Sequence, residues 1–207
     1  MKELVEKLYS GQDLSDSELA ELINDRDDET AELLRIRADE VRQRYYGKKV
    51  FLRGLIEISS HCKNDCLYCG IRRSNRDADR YRLDREKILS CCENGYSLGF
   101  RTFVMQGGED SFFTDEFMCS IISEIREKYP DCAITLSLGE RSCESYRLMK
   151  EAGADRYLLR HETASPELYR RLHLDEMSLD NRIRCLFDLK ELGYQVGSGF
   201  MVGAPFQ

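Results

Sequence analysis

Three cysteines fall within eight residues, in the run His61-Cys62-Lys63-Asn64-Asp65-Cys66-Leu67-Tyr68-Cys69-Gly70. The spacing is C-x3-C-x2-C. Thiolates are soft ligands that suit iron–sulfur clusters. Three of them on a four-iron cubane leave one iron without a protein ligand. That iron can accept a chelating small molecule, as the open position of a catalytic metal site does. The competing chemistry is a structural zinc knot, which takes four ligands and usually shows two paired C-x2-C units. Here there is one such unit, one further Cys, and a His61 that points away from Cys62 on an extended chain. A [4Fe–4S] cluster fits better. The zinc knot and a non-catalytic metal-binding scaffold stand as alternatives.

The elements that must position this loop alternate in type. Residues 1–49 read as helices: Ser15 to Asn24, then Asp28 to Tyr46 with Ala31, Leu34, Ala38, Val41 and Tyr45 at helical spacing, stopped by Gly47. Residues 50–207 form the second region. Val50 to Ile58 reads as a strand that runs into the cysteine loop. Asp84 caps a helix ended by Gly95, and Arg101 to Gln106 is a strand. Thr114 caps a helix with an apolar stripe of Phe117, Ile121, Ile122 and Ile125. Cys132 to Leu138 is the third strand, Ser142 to Gly153 a helix, and Ala154 to His161 the fourth strand. Helices opened by Ser165-Pro166 and by Ser178 follow, and Tyr194 to Val202 is the fifth strand. Strand–helix repetition of this kind implies parallel strands with right-handed crossovers, hence an α/β fold. No reversal point for an open doubly wound sheet is visible, so a (β/α) barrel of the TIM type is expected. A closed barrel needs about 250 residues. The chain therefore reads as a barrel truncated after its fifth strand, with an exposed strand edge.

Chemistry in such folds sits at the C-terminal ends of the strands, and the remaining polar motifs fall there. Gln106-Gly107-Gly108-Glu109-Asp110 ends the second strand, and its glycines let backbone approach a ligand closely, as they also would in an ordinary turn. Thr135 and Ser137 share one face of the third strand. They are satisfied core hydroxyls or ligand contacts. Arg160 and Glu162 share a face at the end of the fourth, as a plain ion pair or as ligand-binding groups. Arg182 lies early in the helix before the fifth strand, at the surface or reaching into the site.

Composition narrows the class. The formal net charge of -7 argues against non-specific nucleic-acid binding. Six arginines between Arg72 and Arg85 form a local basic run, a solvated loop face or a docking surface for an anionic partner. No apolar run approaches the roughly 18–20 residues that cross a bilayer. The polar Met1-Lys2-Glu3 start is unlike a secretory signal, so a cytoplasmic protein is expected. The other six of the nine cysteines are scattered and read as buried thiols.

The cysteine triplet after a first strand, with aromatic Tyr68 before the last Cys, resembles the signature of the radical S-adenosylmethionine (SAM) superfamily. That resemblance implies a cluster whose open iron is chelated by the amino and carboxylate groups of SAM. It implies reductive cleavage of SAM to methionine and a 5′-deoxyadenosyl radical, with an external electron donor. It assigns Gly107, Gly108 and Glu109 to the SAM amino group and Glu162 to the ribose or amino group. Arg182 would serve the SAM carboxylate. Tyr68, Thr135, Ser137, Arg160 and Met201, the last in the glycine-spaced stretch Gly197 to Gly203, become further cofactor contacts. Longer runs are similar to the HydE-type maturases of [FeFe]-hydrogenase, within the biotin-synthase-like group. These are Cys66 to Arg72, Arg80-Tyr81-Arg82-Leu83, Ser137-Leu138-Gly139-Glu140 and Ala152 to Thr163. They imply a small organometallic or amino-acid-derived substrate, and companion maturases as partners. A methylornithine-synthase-like enzyme is the alternative within the same group. Family chains continue into further strands and a region that can carry a second cluster.

Overall fold

The computed structural model describes residues 1–174 and 177–207, in two units, Met1–Phe51 and Leu52–Gln207. The first unit holds α1 (Lys2–Tyr9), α2 (Asp16–Asn24) and α3 (Asp28–Tyr46). Ser15 and Glu18 form a reciprocal capping box on α2, and the Asp27 carboxylate caps α3. Arg37 of α3 donates to Glu6 of α1 across 2.9 Å.

The second unit alternates strand and helix: β1 (Gly54–Ser59), α4 (Arg85–Ser97), β2 (Thr102–Gly107), α5 (Asp115–Lys128), β3 (Ala133–Ser137), α6 (Cys143–Glu151), β4 (Arg156–Leu158), α7 (Pro166–Leu172), α8 (Leu179–Glu191) and β5 (Gln195–Gly197). Asp84, Thr114, Ser142, Ser165 and Ser178 each accept the N–H three residues on, which fixes where α4 to α8 begin. The described strands form one parallel sheet in the order β1-β2-β3-β4-β5. Strand order never reverses, as it would in a doubly wound sheet. Successive right-handed crossovers in one direction wind a barrel wall.

Strand alternation gives the wall two faces. Ile56, Ile58, Phe103, Met105, Ile134, Leu136 and Tyr157 point toward the helices and are buried in one core with Ile88, Ile121, Tyr146 and Leu189. Each such side chain contributes roughly 1.5–3 kcal/mol of burial. The opposite face carries a row set by register: Glu57 pairs with Gln106, and Gln106 with Ser137. A bulge between Glu57 and Ser59 ends the β1 ladder beside the cysteine loop.

Several boundaries differ from the sequence expectation. The first strand starts at Gly54, not Val50; Val50, Phe51 and Leu52 lie exposed. Gly95 does not end α4, which runs to Ser97 before Gly99 takes φ +90°. Gly95 lies inside the helix, where a Cβ would sit a tight 3.1 Å from the Phe103 ring. Met118, rather than Phe117, completes the buried stripe of α5. The fourth and fifth strands shrink to three residues each. Beyond them the two segments stay paired through an isolated Glu162–Phe200 bridge and the Ser198 hydroxyl, which donates to Leu159 O at 3.0 Å.

Candidate active site

The cysteine loop is closed at its base. Ser59 and Arg82 form an antiparallel bridge, Leu83 N–H donates to Ile58 O at 2.8 Å, and the Ser60 hydroxyl donates to Asp79 O at 2.8 Å. Arg80 organises the interior of the loop. Its guanidinium donates to the carbonyls of Ser60, Ile71, Arg72 and Asn75. Arg72 donates to Cys69 O, Arg82 to Asp110 and Arg85 to Glu124. The basic run is thus largely consumed within the fold, as carbonyl staples and ion pairs.

Cys62, Cys66 and Cys69 line one cavity of about 820 Å³ at the C-terminal ends of the strands. Among the described residues no three Cys, His, Asp or Glu side chains are gathered around a single metal ion. Cys69 N–H donates to Cys66 O at 3.0 Å, the turn that closes the C-x2-C pair. Glu109 N–H points at Cys62 Sγ from 3.4 Å. Burial pushes the Cys62 thiol up and the Cys66 thiol up to about 11. Metal binding at such thiols releases protons.

The Gly107-Gly108 turn abuts this loop. A Cβ on Gly108 would lie 2.2 Å from His61 O and 2.6 Å from Cys62 Cβ, so only glycine fits. The Glu109 carboxylate accepts Glu140 N–H at 2.9 Å and pairs with Lys63 at 3.2 Å. It packs where a Cβ on Gly139, at φ +74°, would be. Tyr157 and Tyr146 hydroxyls both donate to Gly139 O and hold that turn. Asp110 takes a bidentate pair from Arg82 at 2.7 and 2.9 Å and the Ser59 hydroxyl at 2.7 Å. Burial opposes its ionisation, yet these donors outweigh it and hold the carboxyl at about 2.

The opposite wall is the end of β4. Glu162 is 5% exposed and adopts φ +65°, a left-handed conformation uncommon for a residue with a side chain. Its backbone is clamped by bonds to Gly199 O and from Met201 N–H. One carboxylate oxygen faces Arg160 at 3.5 Å; the other, Oε2, is buried with no partner among the described residues. Buried polar atoms are rarely left without a hydrogen-bond partner, so this acceptor is open to a donor from the cavity. Arg182 is buried, not at the surface: it donates to Glu140 at 2.7 Å and to Arg160 O at 3.1 Å. Burial opposes its charge, but Glu140 outweighs this and keeps it fully cationic.

Tyr68, Gly107, Gly108, Glu109, Ser137, Arg160, Glu162 and Arg182 therefore surround the cavity with the three cysteines. Thr135 is buried one step down the same face of β3, outside the lining, and Met201 also lies outside it. Glu57 and Gln106 also line the cavity; no sequence motif marks Glu57, which the β1 register brings in. His173, outside the lining, is buried at the end of α7. The donor set suits a cluster with one open iron and a small polar ligand carrying amino, carboxylate and hydroxyl groups. Three thiols, a backbone turn pressed to the loop, and an unpartnered carboxylate all face the same space.

Comparison with known proteins agrees with this architecture. The chain is 44% identical over 206 residues to the [FeFe] hydrogenase maturase subunit HydE of Thermotoga maritima, covering 100% of this chain and 58% of that protein. It is 31% identical over 200 residues to 3-methylornithine synthase of Methanosarcina acetivorans, covering 96% of this chain and 56% of that one. Among solved structures, methylornithine synthase (PylB) superposes with a TM-score of 0.86 at 31% identity, over 97% of this chain and 59% of that chain. The chain thus spans less than two thirds of the relatives it matches. No helix among the described residues is long and apolar enough to cross a membrane. Residues 56–207 match the Radical SAM superfamily model, and with the sequential parallel sheet and the cysteine-lined cavity at its strand ends, the chain belongs to the radical SAM superfamily.

Proposed function

We propose that this chain cleaves SAM reductively at a [4Fe–4S] cluster held by Cys62, Cys66 and Cys69, and serves in assembly of the [FeFe]-hydrogenase active site. The observation that carries the first part is the shared cavity of the three thiols, the Gly107-Gly108-Glu109 turn and the Glu162 carboxylate. When bound, the cluster supplies the electron that splits SAM into methionine and a 5′-deoxyadenosyl radical. Glu162 Oε2 takes a hydroxyl or amino donor of the ligand, which relieves its unpartnered burial. Gly107 and Gly108 present backbone at close range, and Glu109 keeps the turn fixed through Glu140 N–H. Arg182 supplies positive charge at the wall facing the cluster loop for a carboxylate. Glu57, Gln106 and Ser137 form a polar row on the same inner face, suited to a small polar substrate.

The second part rests on the 44% identity to the HydE maturase subunit, against 31% to methylornithine synthase. A companion maturase and a reducing donor, on this reading, supply the substrate and the electron. The test is a reconstituted hydrogenase maturation mixture lacking its HydE component. Hydrogen evolution restored by this chain supports the assignment. Failure to restore it, together with rearrangement of an amino-acid skeleton, moves the chain to the methylornithine-synthase reading.

A further inference from the structure

We propose that His173 is a positioning residue for the cluster loop. It anchors Tyr68, and through Tyr68 the Cys66–Cys69 turn, against the end of α7. This rests on the reading that Cys66 and Cys69 hold the cluster.

The end of α7 touches the loop at two points. Leu67 N–H donates to Leu172 O at 3.0 Å, and Tyr68 Oη lies 3.0 Å from His173 Nε2. The two rings meet edge to face, 5.4 Å apart at 86°. His173 is itself fixed. It is 2% exposed, its ring stacks on Tyr169 at 3.9 Å, and Nδ1 lies 3.0 Å from Tyr169 O. A carbonyl only accepts, so Nδ1 carries the proton and Nε2 of the neutral ring accepts from the Tyr68 hydroxyl. Both nitrogens are thereby satisfied. A position needing only bulk would take Leu or Phe without the cost of burying two polar atoms.

Tyr68 is the half-exposed member of this pair, and its ring lines the cavity between Cys66 and Cys69 in sequence. Ser165, the cap of α7, follows Glu162 by three residues. One segment therefore carries the carboxylate on one wall of the cavity and the anchor for the loop on the other. His173 sets the spacing between them.

The experiment compares the native chain with Tyr68→Phe, His173→Phe, the double variant and His173→Gln, all reconstituted anaerobically with iron and sulfide. The readouts are the rate of iron loss to a ferrous chelator, the EPR spectrum of the reduced cluster, and thermal melting of each apo-chain. Losing the shared Tyr68–His173 hydrogen bond predicts iron loss about fivefold faster in each Phe variant. The double variant should be no faster than either single, the mark of one shared interaction. Gln, whose carboxamide oxygen can accept the Tyr68 hydroxyl, should restore most of the native rate and spectrum. The proposal is overturned if iron loss is unchanged in Tyr68→Phe, if the two Phe effects multiply, or if His173→Phe alters only apo melting. A native chain that takes up no cluster removes the functional reading and this proposal together. A native chain that takes it up with indifferent variants removes this one alone.

Discussion

Gly108→Ala probes how tightly the second strand end is pressed to the cysteine loop. The added methyl would sit 2.2 Å from His61 O and 2.6 Å from Cys62 Cβ. The first is backbone and the second is the root of a ligand side chain, so neither can rotate away. To open the shorter contact even to 3.0 Å, turn and loop must part by about 0.8 Å. Overpacking of this kind costs about 1–3 kcal/mol. For a unit of this size that is a fall in Tm of roughly 3–10 °C. It also displaces Cys62, and a displacement near 1 Å is enough to cost about 10²-fold in chemistry. The matched control is Gly70→Ala, in the same loop next to Cys69, where a Cβ meets nothing within 4 Å. That change should stay within about 0.5 kcal/mol. Urea unfolding of the apo-chains and iron per chain after reconstitution give the two readouts. The reasoning fails if Gly108→Ala matches the native chain in both, or if Gly70→Ala loses as much.

Three further outcomes follow from the site. Arg80→Ala removes donors from four loop carbonyls, and should cost about 3 kcal/mol and speed proteolytic cleavage within residues 60–81. Arg80→Lys should recover only part, since an ammonium cannot fork across that many acceptors. Asp110, held at about 2 against an ordinary 3.8, has a depressed folded value, so its contribution is present above pH 4 and lost as pH falls toward 2. A loss of about 2 kcal/mol across that window is expected, and acid titration of stability should be flatter for Asp110→Asn. Glu162→Gln should leave apo stability equal or higher, because a neutral amide is cheaper to bury, while SAM affinity of the reconstituted chain falls about tenfold by equilibrium titration.

Much of the fold is legible in local chemistry. Asp84, Thr114, Ser142, Ser165 and Ser178 are good caps wherever they stand, and each starts a helix. The cysteine triplet is legible too, because ligand chemistry constrains type and spacing together. Other features depend on contacts distant in sequence. Gly95 looks like a stop signal, yet it sits mid-helix and close against Phe103 of the neighbouring strand. The arginines after Cys69 look like a surface patch, but Arg80 turns inward to carbonyls that only the folded loop presents. Arg182 sits on a helix whose face toward the site cannot be read without Glu140 beside it. His173 has no spacing partner at all; its role depends on α7 folding back against Tyr68. The fourth and fifth strands are shorter than their apolar runs suggest, because the regular ladder stops at Leu158 and Gly197 while Leu159 and Phe200 to Val202 continue the apolar pattern.

The central claim is that Cys62, Cys66 and Cys69 hold a cluster that cleaves SAM. The most direct measurement is 5′-deoxyadenosine released from SAM by the anaerobically reconstituted, dithionite-reduced chain, beside a Cys69→Ala variant handled identically. About four irons per native chain are expected, with product in the native sample and none from the variant. A native chain that binds one zinc and no iron, or a Cys69→Ala chain that still forms 5′-deoxyadenosine, would contradict it.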